Sequence, residues 1–251
     1  MKRAFDILSS AVGLALLGPA LALIAIAIWM EDLHSPFFFG QRCARGGGFF
    51  RMVKFRSMVP DAWKNGVSST AAGDRRITRV GRWIRKAKLD ELPQLWNVLV
   101  GDMSFVGPRP QVETDAQLYT QQEQRLLSVR PGITDAASIV FADEGDILAG
   151  SEDPDLLYNQ IIRPWKSRLG LLYVDHHTTA TDLKLIALTL LSPLSREAAL
   201  DGVDKLLYSW GAEPMIRRMA RRRETLRPWA PPGAESIVER YPRANAHAQQ
   251  A

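Results

Sequence analysis

The chain is 251 residues long, 46% apolar and 24% charged, which excludes an intrinsically disordered protein and allows one large domain or two small ones. Its 32 Lys and Arg outnumber 27 Asp and Glu, for a net charge of +5. A single cysteine, Cys43, excludes an intramolecular disulfide framework and a multi-cysteine metal cage.

Residues 7–29 carry no charge and lie between Lys2/Arg3 and Glu31/Asp32. As a helix they extend about 35 Å, enough to cross a bilayer core. A small-residue Ala20-Leu21-Ala22 stretch resembles a signal-peptide cleavage site, but the apolar run continues past it. Pro19, near the middle, removes a backbone donor and predicts a kink. Two topologies follow: a kinked span, which residue physics alone favours, or a helix that bends back and leaves by the face it entered. Lys2 and Arg3 hold the N-terminus in the cytoplasm, and Trp29 suits the membrane interface.

Next, the aromatic run Phe37-Phe38-Phe39 and the stretch 49–56 flank Gly46-Gly47-Gly48, which predicts a β-hairpin. Residues 62–74 read as a polar loop, and 77–88 as a basic helix. Leu89, Leu92, Leu95, Trp96 and Leu99 recur at helical spacing. Pro93 is tolerated only in a first turn, so this helix should begin near Asp90–Leu92 and end at Gly101. Further helices are predicted at 113–128, 154–172 and 182–191, with turns at 107–110 and 130–132. From about 195 the chain carries Arg217, Arg218, Arg221, Arg222, Arg223 and Arg227, and after Pro228 it reads as linker-like or disordered.

Charge is unevenly distributed. Residues 41–110 hold 14 Lys/Arg and 5 Asp/Glu, whereas residues 111–160 hold 2 and 10. A field that positive attracts phosphates, although a solvated basic face has the same composition. Within it, Asp90 and Glu91 fall at a predicted helix start. Acids there complement the helix dipole, a purely structural use. The same setting keeps a carboxylate ionised beside phosphate-attracting groups. An ionised Asp is then a nucleophile toward phosphorus, and a neighbouring Glu a ligand for Mg2+.

The stretch KLDELPQLWNVLVGDMSFVGPRP resembles the signature of the bacterial sugar transferases that are monotopic polyprenyl-phosphate phosphoglycosyl transferases. The blocks SPFFFGQRCARGGGFFRMVKFRSM, RPGIT and YVDHHTTATDLKLIALTLL resemble further parts of the family, and together they cover about residues 2–192. The resemblance implies an α+β, mostly helical fold. Its parts are an N-terminal re-entrant helix-break-helix turning at Pro19, a short β-hairpin, and a compact cytoplasmic helical domain with interfacial helices. It therefore reverses the preference for a span. The implied organisation is a membrane anchor over 1–32, a catalytic domain over 33–194 and a basic extension over 195–251 with a disordered end.

The implied reaction transfers a sugar-1-phosphate from a UDP-sugar to undecaprenyl phosphate at the cytoplasmic face of the bacterial inner membrane, releasing UMP, as the first membrane step of a polysaccharide or glycoconjugate pathway. By analogy Asp90 forms an aspartyl-phosphosugar in ping-pong order and Glu91 helps bind Mg2+. Lys54, Arg56, Arg85 and Arg109 match basic positions near phosphate, and Asp182 matches an acid of the last block. Such a role leaves room for self-association and for downstream glycosyltransferases as partners.

The match weakens at Ala87-Lys88 and at DAASIVFADEGDIL, residues 135–148, where Asp135, Asp143 and Glu144 either contact a sugar hydroxyl or are solvated loop acids. The extension's arginines suit anionic lipid or a solvated helix face. His176-His177 lacks partners for a metal site, and Cys43 reads as an inert small hydrophobe. The competing reading is a non-enzymatic, membrane-anchored protein that binds anionic lipid. No zinc-finger or RNA-binding motif supports a nucleic-acid partner.

Overall fold

A Leu- and Ala-rich run of high helix propensity forms the first element, α1, Lys2–Asp32, in the computed structural model, which describes residues 2–62, 67 and 69–241. Pro19 lies inside α1 without ending it. Only Asp6, Ser10 and Ile28 of the helix are buried, while Leu8, Val12, Leu16, Leu23, Ile26 and Met30 are exposed. Both ends of α1 are tied to the rest of the chain. Near the start, Lys2 Nζ donates to Asp182 at 2.5 Å and to the Val106 carbonyl at 3.0 Å, and Asp6 accepts from Ser104 Oγ at 3.1 Å. At the other end, Asp32 accepts two bonds of 2.6 Å from Arg56.

The expected hairpin is present, with β1 (Phe37–Cys43) antiparallel to β2 (Phe49–Phe55). Gly46 and Gly47 take φ of 81° and 85° in its turn, a conformation costly for other residues. The basic helix is α2, Arg79–Lys86, capped by Thr78 and by Glu31, whose carboxylate accepts from Arg79 N at 2.8 Å. The next helix, α3 (Gln94–Val100), starts later than the spacing predicted. Pro93 is its N-cap, and Asp90 and Glu91 fall in a separate 3₁₀ turn, Leu89–Glu91.

A parallel pair, β3 (Ser104–Val106) and β4 (Gly132–Thr134), was not anticipated. These strands approach so closely that a Cβ on Gly132 would lie 2.1 Å from Gly107 N. The predicted helix over 113–128 is instead a short α4, Glu113–Ala116, and a 3₁₀ run, Glu123–Ser128. The cause is local. Thr120 Oγ1 accepts from Glu123 N at 3.1 Å while Glu123 accepts from Thr120 N at 3.0 Å, a reciprocal cap that starts a new element.

Short helices α5 (Ala136–Val140), α6 (Glu144–Ile147) and α7 (Pro154–Leu157) lead into a π turn, Tyr158–Ile162, and α8, Arg163–His176. Then follow α9 (Thr179–Leu191), α10 (Arg196–Ser209) and α11 (Pro214–Ala220). The main core joins Ile139 and Val140 of α5, Trp165 and Leu169 of α8, Leu185 of α9 and Val203, Leu206 and Leu207 of α10. The extension from 195 thus shares the core of 33–194. Two smaller clusters, Phe50 with Met52, Val98 and Met103, and Ile28 with Phe55 and Ile84, seat α3 and the end of α1 on the hairpin.

After α11 the chain remains packed through Tyr241. Trp229 N donates to the Gln160 carbonyl at 3.0 Å, its ring lies 5.4 Å from that of Trp165, and Thr114 Oγ1 lies 3.0 Å from Tyr241 Oη. The expectation of a linker after Pro228 fails for these residues. The expected disordered end, 242–251, and part of the polar loop lie outside the described residues.

Candidate active site

The site is assembled where the 3₁₀ turn, β2, α2 and the loop after β3 meet. Lys88 precedes the turn in the left-handed conformation, φ 56°, so the chain bends sharply between α2 and Asp90. Asn97 of α3 mimics a strand neighbour. Its Oδ1 accepts from Val53 N at 2.9 Å and its Nδ2 donates to the Arg51 carbonyl at 2.8 Å. This locks the helix that follows the carboxylates to the strand that carries Lys54. Asn97 was missed at the sequence level, where a lone amide among the apolar Leu95, Trp96, Val98 and Leu99 was the available signal.

Glu91 is gripped from two sides. Lys54 Nζ donates to its Oε1 at 3.0 Å, and Arg109 donates to both oxygens, through NH1 to Oε2 at 3.0 Å and through NH2 to Oε1. Burial pushes the Glu91 carboxyl up, but Arg109 and Lys54 outweigh it and hold it well below the usual range. In return Glu91 raises Arg109, while burial lowers Lys54 against the pull of Glu91. Glu91 and Arg109 thus hold each other in their charged forms.

Asp90 is different. It is 7% exposed, and among the described residues none hydrogen-bonds to its carboxylate. Burial and then the charge of Glu91 raise its pKa, while Lys54, Arg85 and Arg109 pull it down. Arg85 donates to Ser57 Oγ at 3.3 Å and, among the described residues, pairs with no carboxylate. The result is one unbonded carboxylate beside three cations, a setting for an anion such as a polyphosphate. Arg42, unremarked in the sequence, joins this group. Burial and then Arg109 depress its pKa.

Two of the expected site residues, Arg56 and Asp182, are elsewhere. The guanidinium of Arg56 is bound by Asp32 and by the Ser35 carbonyl at 2.6 Å, so it clamps the end of α1. Asp182 accepts from Lys2 and from Tyr173 Oη at 2.7 Å, and clamps the start of the same helix. The acids of 135–148 divide. Asp135 caps α5, accepting from Ser138 N at 2.6 Å, and burial raises its pKa. Glu144 pairs with Lys166, and Asp143 with Arg196 and Arg222. Arg109, Gln111, Asp135, Tyr158 and Lys166 line one narrow cleft with room for about one water. His176 and His177 are exposed and bonded to nearby carbonyls, and burial raises the Cys43 thiol pKa.

For a divalent cation the donors are Asp90 and Glu91. Among the described residues no group of three or more His, Cys, Asp or Glu is placed to hold a metal ion. Two adjacent carboxylates fit Mg2+, which takes one or two such ligands and completes its shell with water and substrate phosphate.

An exposed apolar helix joined to a carboxylate pair amid cations places the molecule in a recognisable class. Residues 1–196 match the bacterial sugar transferase family, and the chain belongs to it. It is 35% identical over 170 residues to the UDP-N-acetylgalactosamine-undecaprenyl-phosphate N-acetylgalactosaminephosphotransferase of Aeromonas hydrophila, covering 66% of this chain and 40% of that protein. It is 36% identical over 196 residues to the undecaprenyl-phosphate glucose phosphotransferase of Komagataeibacter xylinus, covering 75% and 35%. It is 34% identical over 201 residues to the UDP-glucose:undecaprenyl-phosphate glucose-1-phosphate transferase of Caulobacter vibrioides, covering 79% and 71%. The chain thus spans less than half the length of the first two relatives.

Proposed function

We propose that the chain transfers a sugar-1-phosphate from a UDP-sugar to undecaprenyl phosphate, releasing UMP, at the cytoplasmic face of the bacterial inner membrane. The observation that carries this reading is the buried Asp90 carboxylate, which accepts no hydrogen bond from a described residue, beside Glu91, Lys54, Arg85 and Arg109.

In the first half-reaction an oxygen of ionised Asp90 attacks the β-phosphorus of the donor. The bond from that phosphorus to the bridging oxygen breaks, and UMP leaves with its electron pair. In the second, a phosphate oxygen of undecaprenyl phosphate attacks the aspartyl-phosphosugar and restores the Asp90 carboxylate. Arg85, Arg109 and Lys54 neutralise the phosphates, and Arg109 and Lys54 also orient Glu91. Asp90 and Glu91 would hold Mg2+, which supplies charge neutralisation at the transferring phosphoryl group when bound.

The membrane reading is supported by α1, which exposes apolar side chains while both its ends are bonded to the same domain. A helix crossing a bilayer places its ends on opposite sides. Tethering of both ends to one body supports a helix that stays on one face of the bilayer. The lipid-binding, non-enzymatic alternative loses part of its support, because Arg217, Arg221 and Arg222 are paired with Asp204, Asp201 and Asp143.

The test is UMP release by the purified chain with Mg2+, undecaprenyl phosphate and a panel of UDP-sugars, beside Asp90→Asn. The expected result is release that requires an Asp at 90, with a phosphosugar adduct trapped on Asp90 when the lipid is withheld. Undiminished release in the variant would overturn the nucleophile assignment.

A further inference from the structure

Arg42 stands near Lys54 and Arg109 without a counter-ion. Among the described residues its guanidinium makes one hydrogen bond, from NH1 to the Gln41 carbonyl at 2.7 Å, and no ion pair. Asp115 is the carboxylate whose charge favours it most, yet the two form no ion pair. Most of the N–H donors of this partly exposed side chain are therefore open.

The hairpin aims those donors. Arg42 pairs with Phe50, Gly40 with Met52 and Phe38 with Lys54. Arg42 and Lys54 thus project from one face of the hairpin, at levels about 14 Å apart along the strands. Gly40 lies midway between them and shortens the gap. A Cβ on Gly40 would lie 3.1 Å from Arg42 NH1 and 3.5 Å from its Cζ. The guanidinium is therefore laid back over Gly40, about half of the way to the level of Lys54, in space that a side chain at 40 would take. The neighbouring Cys43 N donates to the Gln111 carbonyl at 2.9 Å, which ties this end of β1 to the loop that carries Arg109. The two arginines are close enough for their charges to oppose each other: after burial, Arg109 is the main influence that lowers the Arg42 pKa, to about 10. An anion between like charges relieves that repulsion.

Arg42 lies further from the nucleophile than the other cations. The charges that act on Asp90 are those of Glu91, Lys54, Arg85 and Arg109, whereas Arg42 acts on Lys54. When the β-phosphorus of a donor is at Asp90, the α-phosphate is one bridging oxygen further out. In-line displacement sends that oxygen away from Asp90, and the acceptor oxygen of the second half-reaction must enter from the side it left. The leaving and the attacking phosphate therefore need the same cation.

We propose that Arg42, laid over Gly40, binds the second phosphate of the reaction: the α-phosphate of the nucleotide in the first half-reaction and the phosphate of the polyprenyl acceptor in the second. The inference rests on the transferase reading and adds to it the residue that holds the leaving and the attacking group.

The experiment compares the full-length wild type with Arg42→Gln, Arg42→Lys and Gly40→Ala. Equilibrium titration with UMP, without lipid, reads the nucleotide phosphate, and the KM for undecaprenyl phosphate reads that of the lipid. Arg42→Gln is expected to weaken UMP binding and to raise the lipid KM by about tenfold each, the loss of one charge-assisted contact. Its UMP affinity should also depend less on salt. Uridine, which has no phosphate, should bind wild type and Arg42→Gln alike. Arg42→Lys should recover part of the loss. Gly40→Ala keeps the arginine but takes its space, so it should show the same loss in weaker form and serves as the readout if Arg42→Gln fails to fold. Unchanged UMP affinity in a folded Arg42→Gln would overturn the proposal. So would an equal loss for UMP and uridine, or a loss confined to one of the two phosphates. Wild type that binds UMP more tightly than Arg42→Gln yet releases none from any UDP-sugar would sink the transferase reading and leave the nucleotide contact standing. Turnover that needs Asp90 but is indifferent to Arg42 would sink this inference alone.

Discussion

Burial and the charge of Glu91 both disfavour the ionised form of Asp90, and no hydrogen bond from a described residue compensates. A carboxylate whose pKa is raised on folding contributes stability that is fully present below its unfolded pKa and is lost as pH rises through the folded value. At neutral pH ionised Asp90 therefore costs the protein stability. Asp90→Asn should raise Tm by about 2–4 °C, the shift that about 1 kcal/mol produces in a chain of this size. The gap should close as pH falls below the raised pKa and wild-type Asp90 protonates. Thermal scans across pH check this, and a lower Tm in the variant at neutral pH would count against it. Arg85 opposes the upward shift. In Arg85→Gln the acid limb of the donor kcat/KM profile should therefore move to higher pH; a limb that stays or moves down would contradict the geometry. Asp90 and Glu91 were legible as a pair from their motif, and so were Lys54 and Arg109. Their inequality was not, because it depends on which carboxylate Arg109 and Lys54 reach across the fold.

At the scale of elements, periodicity located the hairpin, α2, α8 and α9, since each presents a run of apolar or capping residues long enough to read. It failed where side chains rewrite the backbone locally. Thr120 and Glu123 cap one another and cut the expected helix over 113–128, and two three-residue strands are too short to show alternation. Arg56 illustrates a subtler loss. As a basic residue in the hairpin block it looked equivalent to Lys54, yet its fork meets Asp32 and pins the end of α1. Removing one partner of a largely buried, two-bond ion pair is expensive. Arg56→Ala should cost about 2–3 kcal/mol in unfolding experiments in detergent, while turnover per folded molecule stays close to wild type. A specific loss of donor affinity with unchanged stability would return Arg56 to the phosphate site.

Across the whole molecule the uneven charge found in the sequence becomes a wiring diagram. Lys54, Arg85 and Arg109 of the basic block at 41–110 lie beside the carboxylates, while acids of the 111–160 block are answered from later in the chain: Glu123 by Arg163, Glu144 by Lys166, Asp143 by Arg196 and Arg222. No local pattern announces such pairings, because each joins segments 22 or more residues apart. The same closure appears in the apolar core. Leu207 of α10 is fully buried with residues of α5, α8 and α9, so the extension from 195 fills a face of the catalytic body. Two consequences separate this arrangement from an appended tail. Leu207→Ala should cost about 2–5 kcal/mol, the range for emptying a buried leucine site. The loss should also appear in a single unfolding transition shared with Trp165 and Tyr173, which belong to the same core. An independent tail would instead melt in its own transition and leave the fluorescence of Trp165 unmoved. One transition shifted as a whole would show that a chain ending at 194 lacks part of its own core, and that Arg222 reaches Asp143 from a rigid base.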